Sequence, residues 1–341
     1  NAPSQRSPAT QGPAKNPEDE VITVETNLVT TPVSVTDRNG RFIAGLRQRD
    51  FKIFENGIQQ KITYFQSEEQ PFTVILMIDT SPSTRYHIDD IHFAAMTFVD
   101  QLRPKDKVMV VAFDQRTRIL TEPTSERSEL YSAIYRSQFG SGTSLYDAVD
   151  NIIALDLLNV PGRKAVVLFT DGVDTTSQRA DFHSTIAKID EIDALFYPIR
   201  YDTQNWRGNA GGYTVIGNIP ADVLAQLPPD IMARLGLGRG QTSNEYARGQ
   251  LYLETLATNS GGRIFEAETI PNLETAFSGV AEELRRQYSV GYYPDATGEP
   301  GERRQIKIQV ARPRVAVRSK TSYIVKQNQR TSGTSTASLD K

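Results

Sequence analysis

The 341-residue chain contains no cysteine, which excludes disulfide staples, thiolate metal sites and thiol nucleophiles together. Histidine is scarce: His87, His92 and His183 are the only three, and none has the HExxH spacing with which a helix holds catalytic zinc. They read as surface or internally satisfied side chains. No run approaches the ~18 to 20 apolar residues that a membrane helix requires, so no direct membrane span is expected. Neither sign of charge dominates, with 38 Lys plus Arg against 41 Asp plus Glu and a formal net charge of -3. That balance gives no reason to expect nucleic acid or an anionic membrane as the main partner. Signatures of enzymes are missing as well. Gly140-Ser141-Gly142 is not a G-x-S-x-G nucleophile elbow, and the glycine-rich run 236–240 lacks the Lys-Ser/Thr of a phosphate loop.

Residues 1–20 and 327–341 have the Pro, Ser, Thr, Ala and Gln content of extended or disordered arms. An opening of that composition is often found after a removed export signal, so a periplasmic, cell-surface or secreted bacterial protein is expected. Residues 21–70 form short strand-like runs, including RFIAGL at 41–46 and FKIFE before Asn56-Gly57. Both turn residues tolerate positive φ, which predicts a type I′ hairpin. From 71 to 288 apolar runs such as FTVILMI (72–78) alternate with 3.6-residue stripes, at 88–102, 145–158, 182–192 and 271–286. The alternation predicts an α/β fold with a doubly wound, mainly parallel, Rossmann-like sheet. An insertion at about 201–246 interrupts it, with a helix expected at 221–235. Strand periodicity returns at 289–326. These strands are expected to complete a small antiparallel β-sandwich with 21–70, with the α/β domain inserted between. Eight cations and no acid between Arg303 and Lys326 read as a solvated sheet face.

Three loops carry the chemistry. Asp79-Thr80-Ser81-Pro82-Ser83 follows the apolar run 72–78, Gly142-Thr143-Ser144 opens a helix, and AVVLFT ends in Asp171-Gly172-Val173-Asp174. Open α/β sheets bind ligands at the carboxyl ends of their strands, and two of these loops fall there. The bland alternative is that Ser81 and Ser83 cap the next helix and the aspartates fill turns.

The order strand-DxSxS, GT before a helix, then a strand ending in TDG resembles the von Willebrand factor type A family with its metal-ion-dependent adhesion site, over roughly residues 71–288. The resemblance implies direct ligation by Ser81, Ser83 and Thr143, with Asp79 and Asp171 acting largely through waters. Asp174 and Ser144 are candidates for contacts behind those ligands. Pro82 and Thr84 depart from the residues common in this loop. The segment 34–65, SVTDRNGRFIAGLRQRDFKIFENGIQQKITYF, is further similar to a bacterial von Willebrand type A-related group known chiefly from acidobacteria.

An oxygen-only donor set suits Mg²⁺, with Mn²⁺ or Ca²⁺ as substitutes. Neutral hydroxyls leave the ion underneutralised, so the expected function is non-enzymatic binding of a protein partner through its Asp or Glu carboxylate. The alternatives are a structural subunit of an envelope or multiprotein complex held by its arms and sandwich, and, remotely, a metal-dependent hydrolase, for which no nucleophile or base is evident. Trp206, Tyr213 and Tyr246 are candidates for partner contact or for a small core of the insertion. The closing helix 271–286 reads either as a lever moved by partner binding at Thr143 or as a fixed core helix.

Overall fold

The computed structural model describes residues 28–67, 70–82, 88–157, 160, 162–201, 242–267, 270–295 and 298–325. Ser83, His87, Trp206, Tyr213 and the helix expected at 221–235 therefore lie outside the described residues. Four strands come first: β1 (Val29–Thr36), β2 (Phe51–Glu55), β3 (Ile58–Gln60) and β4 (Ile62–Gln66). Asn56 (φ 47°) and Gly57 (φ 84°) turn β2 into β3 in the left-handed conformations that the Asn-Gly pair predicts. RFIAGL does not form a strand. A single bridge joins Thr36 to Phe42, and the Tyr288 hydroxyl instead donates to the Ile43 carbonyl (2.8 Å) and accepts from the Leu46 amide (3.1 Å).

The middle of the chain builds a six-stranded sheet from β5 (Phe72–Asp79), β6 (Lys107–Phe113), β7 (Thr117–Thr124), β8 (Arg163–Thr170), β9 (Leu195–Arg200) and β10 (Phe265–Glu266). Their order is β10-β9-β8-β5-β6-β7, parallel throughout except for β7. The helices are α1 (Ile88–Gln101), α2 (Arg127–Tyr135), α3 (Leu145–Ile152), α4 (Phe182–Ile189), α5 (Ser243–Ser260) and α6 (Ile270–Arg285). Every residue of β5 is buried because both faces are covered. Val74, Leu76 and Ile78 enter the core under α1, α2 and α6, while Ile75 and Met77 enter the core under α3, α4 and α5. Among the described residues, no helix is long and apolar enough to cross a membrane.

β7, α2 and α5 were not foreseen from periodicity. β10 has only two residues, and the 145–158 helix changes at Ile153 to a π turn.

The last strands, β11 (Tyr288–Tyr292), β12 (Arg303–Val310), β13 (Ala316–Ser319) and β14 (Ser322–Ile324), pair with the first four. Two four-stranded antiparallel sheets result, β13-β1-β11-β4 and β14-β12-β2-β3, enclosing Val33, Val35, Ile53, Val290, Ile306 and Ile308. The α/β unit is thus inserted between the two halves of a sandwich. The basic run is not a uniformly solvated face. Arg304 is buried against Glu55 (2.8 Å), Lys320 is buried with its ammonium on the Asp190 carbonyl (2.9 Å), and Arg318 pairs with Glu283 (2.7 Å). Strand alternation turns Arg304 inward, where an unpaired charge would be costly, so it carries a partner.

Candidate functional site

The chain leaves β5 to form β6 on one side and later returns to form β8 on the other, so the strand order reverses between β5 and β8. This is the switch point at which an open α/β sheet gathers ligands. Asp79 closes β5 and Asp171 follows β8 directly, and both are buried. Asp79 accepts the Thr170 hydroxyl at 2.7 Å and the Ser81 amide at 2.9 Å. Burial first, and the Asp171 charge second, push its carboxyl up to about 7 despite the bonds from Thr170 and Ser81. Two buried carboxyl groups thus meet at this edge of the sheet. Asp171 accepts the Val173 amide at 3.0 Å, and Gly172 turns the chain sharply at φ 85°.

Backbone bonds join the loops. The Gly140 amide donates to the Thr80 carbonyl (3.1 Å), binding the loop before α3 to the loop after β5. Thr143 donates its amide to the Thr175 hydroxyl (2.8 Å), and its carbonyl accepts the amides of Thr175 (2.8 Å) and Thr176 (3.0 Å). Ser81 and Thr143 are both buried at this edge. The remaining candidate ligand, Ser83, lies outside the described residues.

Asp174 reaches across to the start of α3, accepting the Tyr146 amide at 3.2 Å and the Ser177 amide at 3.3 Å. It satisfies an orphan amide of the helix and so fastens the Asp171 loop to the Thr143 loop. Burial raises its carboxyl above the ordinary range. Ser144, the residue before α3, makes no cap bond with its side chain. Its hydroxyl meets that of Thr176 at 2.8 Å instead. Tyr246 is buried on α5. His92 is satisfied, with Nε2 2.7 Å from the Ser137 hydroxyl.

Among the described residues, no three His, Cys, Asp or Glu side chains converge as a metal centre. The donor set is two carboxylates with hydroxyls, which fits a hard, oxygen-loving cation and not zinc in a His or Cys cage.

Two contacts were invisible to motif reading. Gly249 on α5 packs its bare backbone on Gly172, so that a Cβ there would lie 2.5 Å from the Gly172 oxygen. Asp114, just beyond β6, pairs with Arg118 on β7 at 2.5 Å, beside the Thr80 loop. A glycine at helical spacing and an Asp four residues before an Arg are the signals they leave, and neither is specific.

The topology and site define a class: an open α/β unit that presents carboxylates and hydroxyls at its switch point. Residues 74–173 match the family model of the von Willebrand factor type A domain, and this part of the chain is such a domain. No curated protein matches the chain by sequence. Solved structures resemble it at low identity. A von Willebrand factor type A protein from Catenulispora acidiphila shares 12% identity over 89% of this chain and 76% of its own, with a TM-score of 0.45. The conserved hypothetical protein BatB from Bacteroides thetaiotaomicron shares 12% over 63% of this chain and 98% of its own, with a TM-score of 0.44. Proximal thread matrix protein 1 from the mussel byssus, with a zinc-occupied MIDAS motif, shares 13% over 69% of this chain and 50% of its own, with a TM-score of 0.43.

Proposed function

We propose that the chain is a non-enzymatic binding protein that holds a divalent cation and, through it, an Asp or Glu carboxylate of a protein partner. Asp79, Ser81, Ser83, Thr143 and Asp171 hold the ion, which is Mg²⁺, with Mn²⁺ or Ca²⁺ as substitutes. The buried pair of carboxylates at the ends of β5 and β8 carries this reading, because a divalent cation relieves the repulsion and desolvation that hold Asp79 near neutrality. With Ser81, Ser83 and Thr143 nearest the ion and Asp79 and Asp171 acting largely through waters, the cation would supply a positive charge with a coordination position open to an acidic partner. The chain's own residues orient that charge, and Asp174 keeps the Asp171 and Thr143 loops in register. A periplasmic, cell-surface or secreted location is part of the same proposal. The test is a calorimetric titration of Mg²⁺ and Mn²⁺ into chelator-stripped protein, paired with capture of proteins from the source envelope with and without chelator. Saturable binding that Asp79→Ala abolishes, with prey released by chelator, is expected. Equal heats from wild type and variant overturn the metal site, and prey indifferent to chelator overturns its role in binding.

A further inference from the structure

Beside the carboxylates of the switch point lies a second polar cluster that no ligand motif includes. Asp114 leaves the end of β6, next to Asp79 in the sheet, because β5 and β6 align Asp79 with Phe113. Its carboxylate accepts the Arg116 amide at 2.8 Å and Arg118 Nη1 at 2.5 Å. From β7 the same guanidinium turns its other nitrogen, Nη2, to Thr80 Oγ1 at 3.2 Å and to the Gln138 carbonyl at 3.0 Å. Thr80 stands between Asp79 and Ser81, and its hydroxyl donates to the Phe113 carbonyl at 3.0 Å, leaving lone pairs for Arg118. Gln138 begins the loop that reaches Thr143. The Asp114 carbonyl accepts the Ser144 amide at 2.7 Å on that loop's far side. Gly140 completes the fit, since a Cβ there would fall 2.0 Å from an Asp114 carboxylate oxygen. One ion pair thus holds three segments: the end of β6, the loop after β5 and the loop before α3.

We propose that Asp114 and Arg118 are positioning residues of the cation site, fixing the Asp79–Ser81 loop and the 138–144 loop against each other before the ion arrives. The proposal rests on the metal reading above. Arginine is required because a planar fork serves carboxylate, hydroxyl and carbonyl together, whereas a lysine ammonium on a flexible stem does not reproduce that geometry. The Asp114 side chain is only 4% exposed and the Arg118 side chain 36%, so the pair is anchored from the buried side.

Positioning and charge predict opposite signs. Removing a cation beside a site for M²⁺ tightens metal binding if only Coulomb's law operates, while loss of the strap weakens it. Mg²⁺ and Mn²⁺ titrations of wild type, Arg118→Gln, Arg118→Lys and Asp79→Ala, with thermal unfolding of each in chelator, separate the two. The expected result is an affinity about 10-fold weaker in Arg118→Gln, in the range found for residues that orient metal ligands. Arg118→Lys keeps the charge and is expected to recover only part of the loss. Unchanged or tighter binding by Arg118→Gln, with Asp79→Ala still inactive, overturns the positioning role and leaves the metal site standing. If Arg118→Gln does not fold, wild-type affinity in Arg118→Lys overturns it equally. Wild type that binds no metal overturns both readings together.

Discussion

Gly249→Ala sets helix propensity against packing, and the two disagree in sign. Gly249 lies inside the eighteen-residue helix α5, where alanine in place of glycine ordinarily stabilises by about 0.5–1 kcal/mol. In this fold the new methyl would meet the Gly172 carbonyl, 2.5 Å from its oxygen and 2.7 Å from its carbon, about 1 Å short of ordinary contact. Both partners are backbone, so no rotamer change relieves the overlap and either α5 or the 171–174 loop must retreat. Overpacking of this kind costs about 1–3 kcal/mol, which set against the propensity gain leaves a net loss centred on about 1 kcal/mol. The loop that retreats carries Asp171, so Mg²⁺ affinity is expected to fall along with stability. Urea unfolding of wild type and variant in chelator, with m-values compared to confirm the same transition, measures the first effect. Calorimetry measures the second. A variant as stable as wild type, or more so, refutes the close approach of α5 to the metal loop.

Glu55 accepts Arg304 at 2.8 Å and the hydroxyls of Tyr292 (2.5 Å) and Tyr323 (2.8 Å) inside the sandwich, so Glu55→Ala leaves Arg304 with Glu302 (3.1 Å) as its remaining carboxylate and removes the acceptor of both hydroxyls, and is expected to cost about 1–3 kcal/mol in denaturant unfolding. A loss below ~1 kcal/mol, typical of surface pairs, shows the network to be dispensable. Burial holds His92 below its ordinary pKa despite the Asp89 charge, so the unfolded chain takes up its proton first. Stability is then complete above about 6.5 and declines as pH falls below it, and His92→Gln flattens this dependence unless another group causes it. Because Asp79 is raised to about 7, cation binding below that pH must displace a proton. Mg²⁺ affinity is therefore expected to fall from pH 8 to pH 6, and a flat profile separates Asp79 from the binding site.

Legibility from sequence followed the range of the interactions. The β5 run and the Asn56-Gly57 turn were readable because their signals, continuous apolarity and tolerance of positive φ, are complete within a few residues. Asp79 and Asp171 are readable as neighbours because they end adjacent buried strands, β5 and β8, whereas their grouping with Ser81 and Thr143 rests on the family resemblance. RFIAGL has good strand composition, yet its Ile43 carbonyl and Leu46 amide are taken by the hydroxyl of Tyr288, more than two hundred residues away. β7 was missed because TRILTEPT alternates weakly, being an edge strand covered in part by α2. α5 was missed because its glycine and polar residues obscure the stripe formed by Tyr252, Leu253 and Leu256. Glycine there depends on a contact with Gly172, which no local pattern encodes.

The cations of the last strands show the same lesson at the join between the two units. Arg318 on β13 reaches Glu283 on α6 at 2.7 Å, and Arg263 meets the other Glu283 oxygen at 2.8 Å. On the opposite layer, Asp190 at the end of α4 takes Arg303 at 2.6 Å and the Ser322 hydroxyl at 2.7 Å, while Lys320 donates to the carbonyls of Asp190 and Ile192. A cation at the negative end of a helix is favourable in itself. These are charge-assisted bonds, several of them buried, and they grip α6 on one face of the sheet and α4 on the other. Arg163 adds a bond to the Leu284 carbonyl at 3.1 Å, and Arg285 bonds the Gln101 carbonyl. A shift of α6 driven from Thr143 would break several of these together. A bistable lever requires two satisfied arrangements, and the C-terminal third of α6 has one, which favours α6 as a fixed core helix joined to the sandwich.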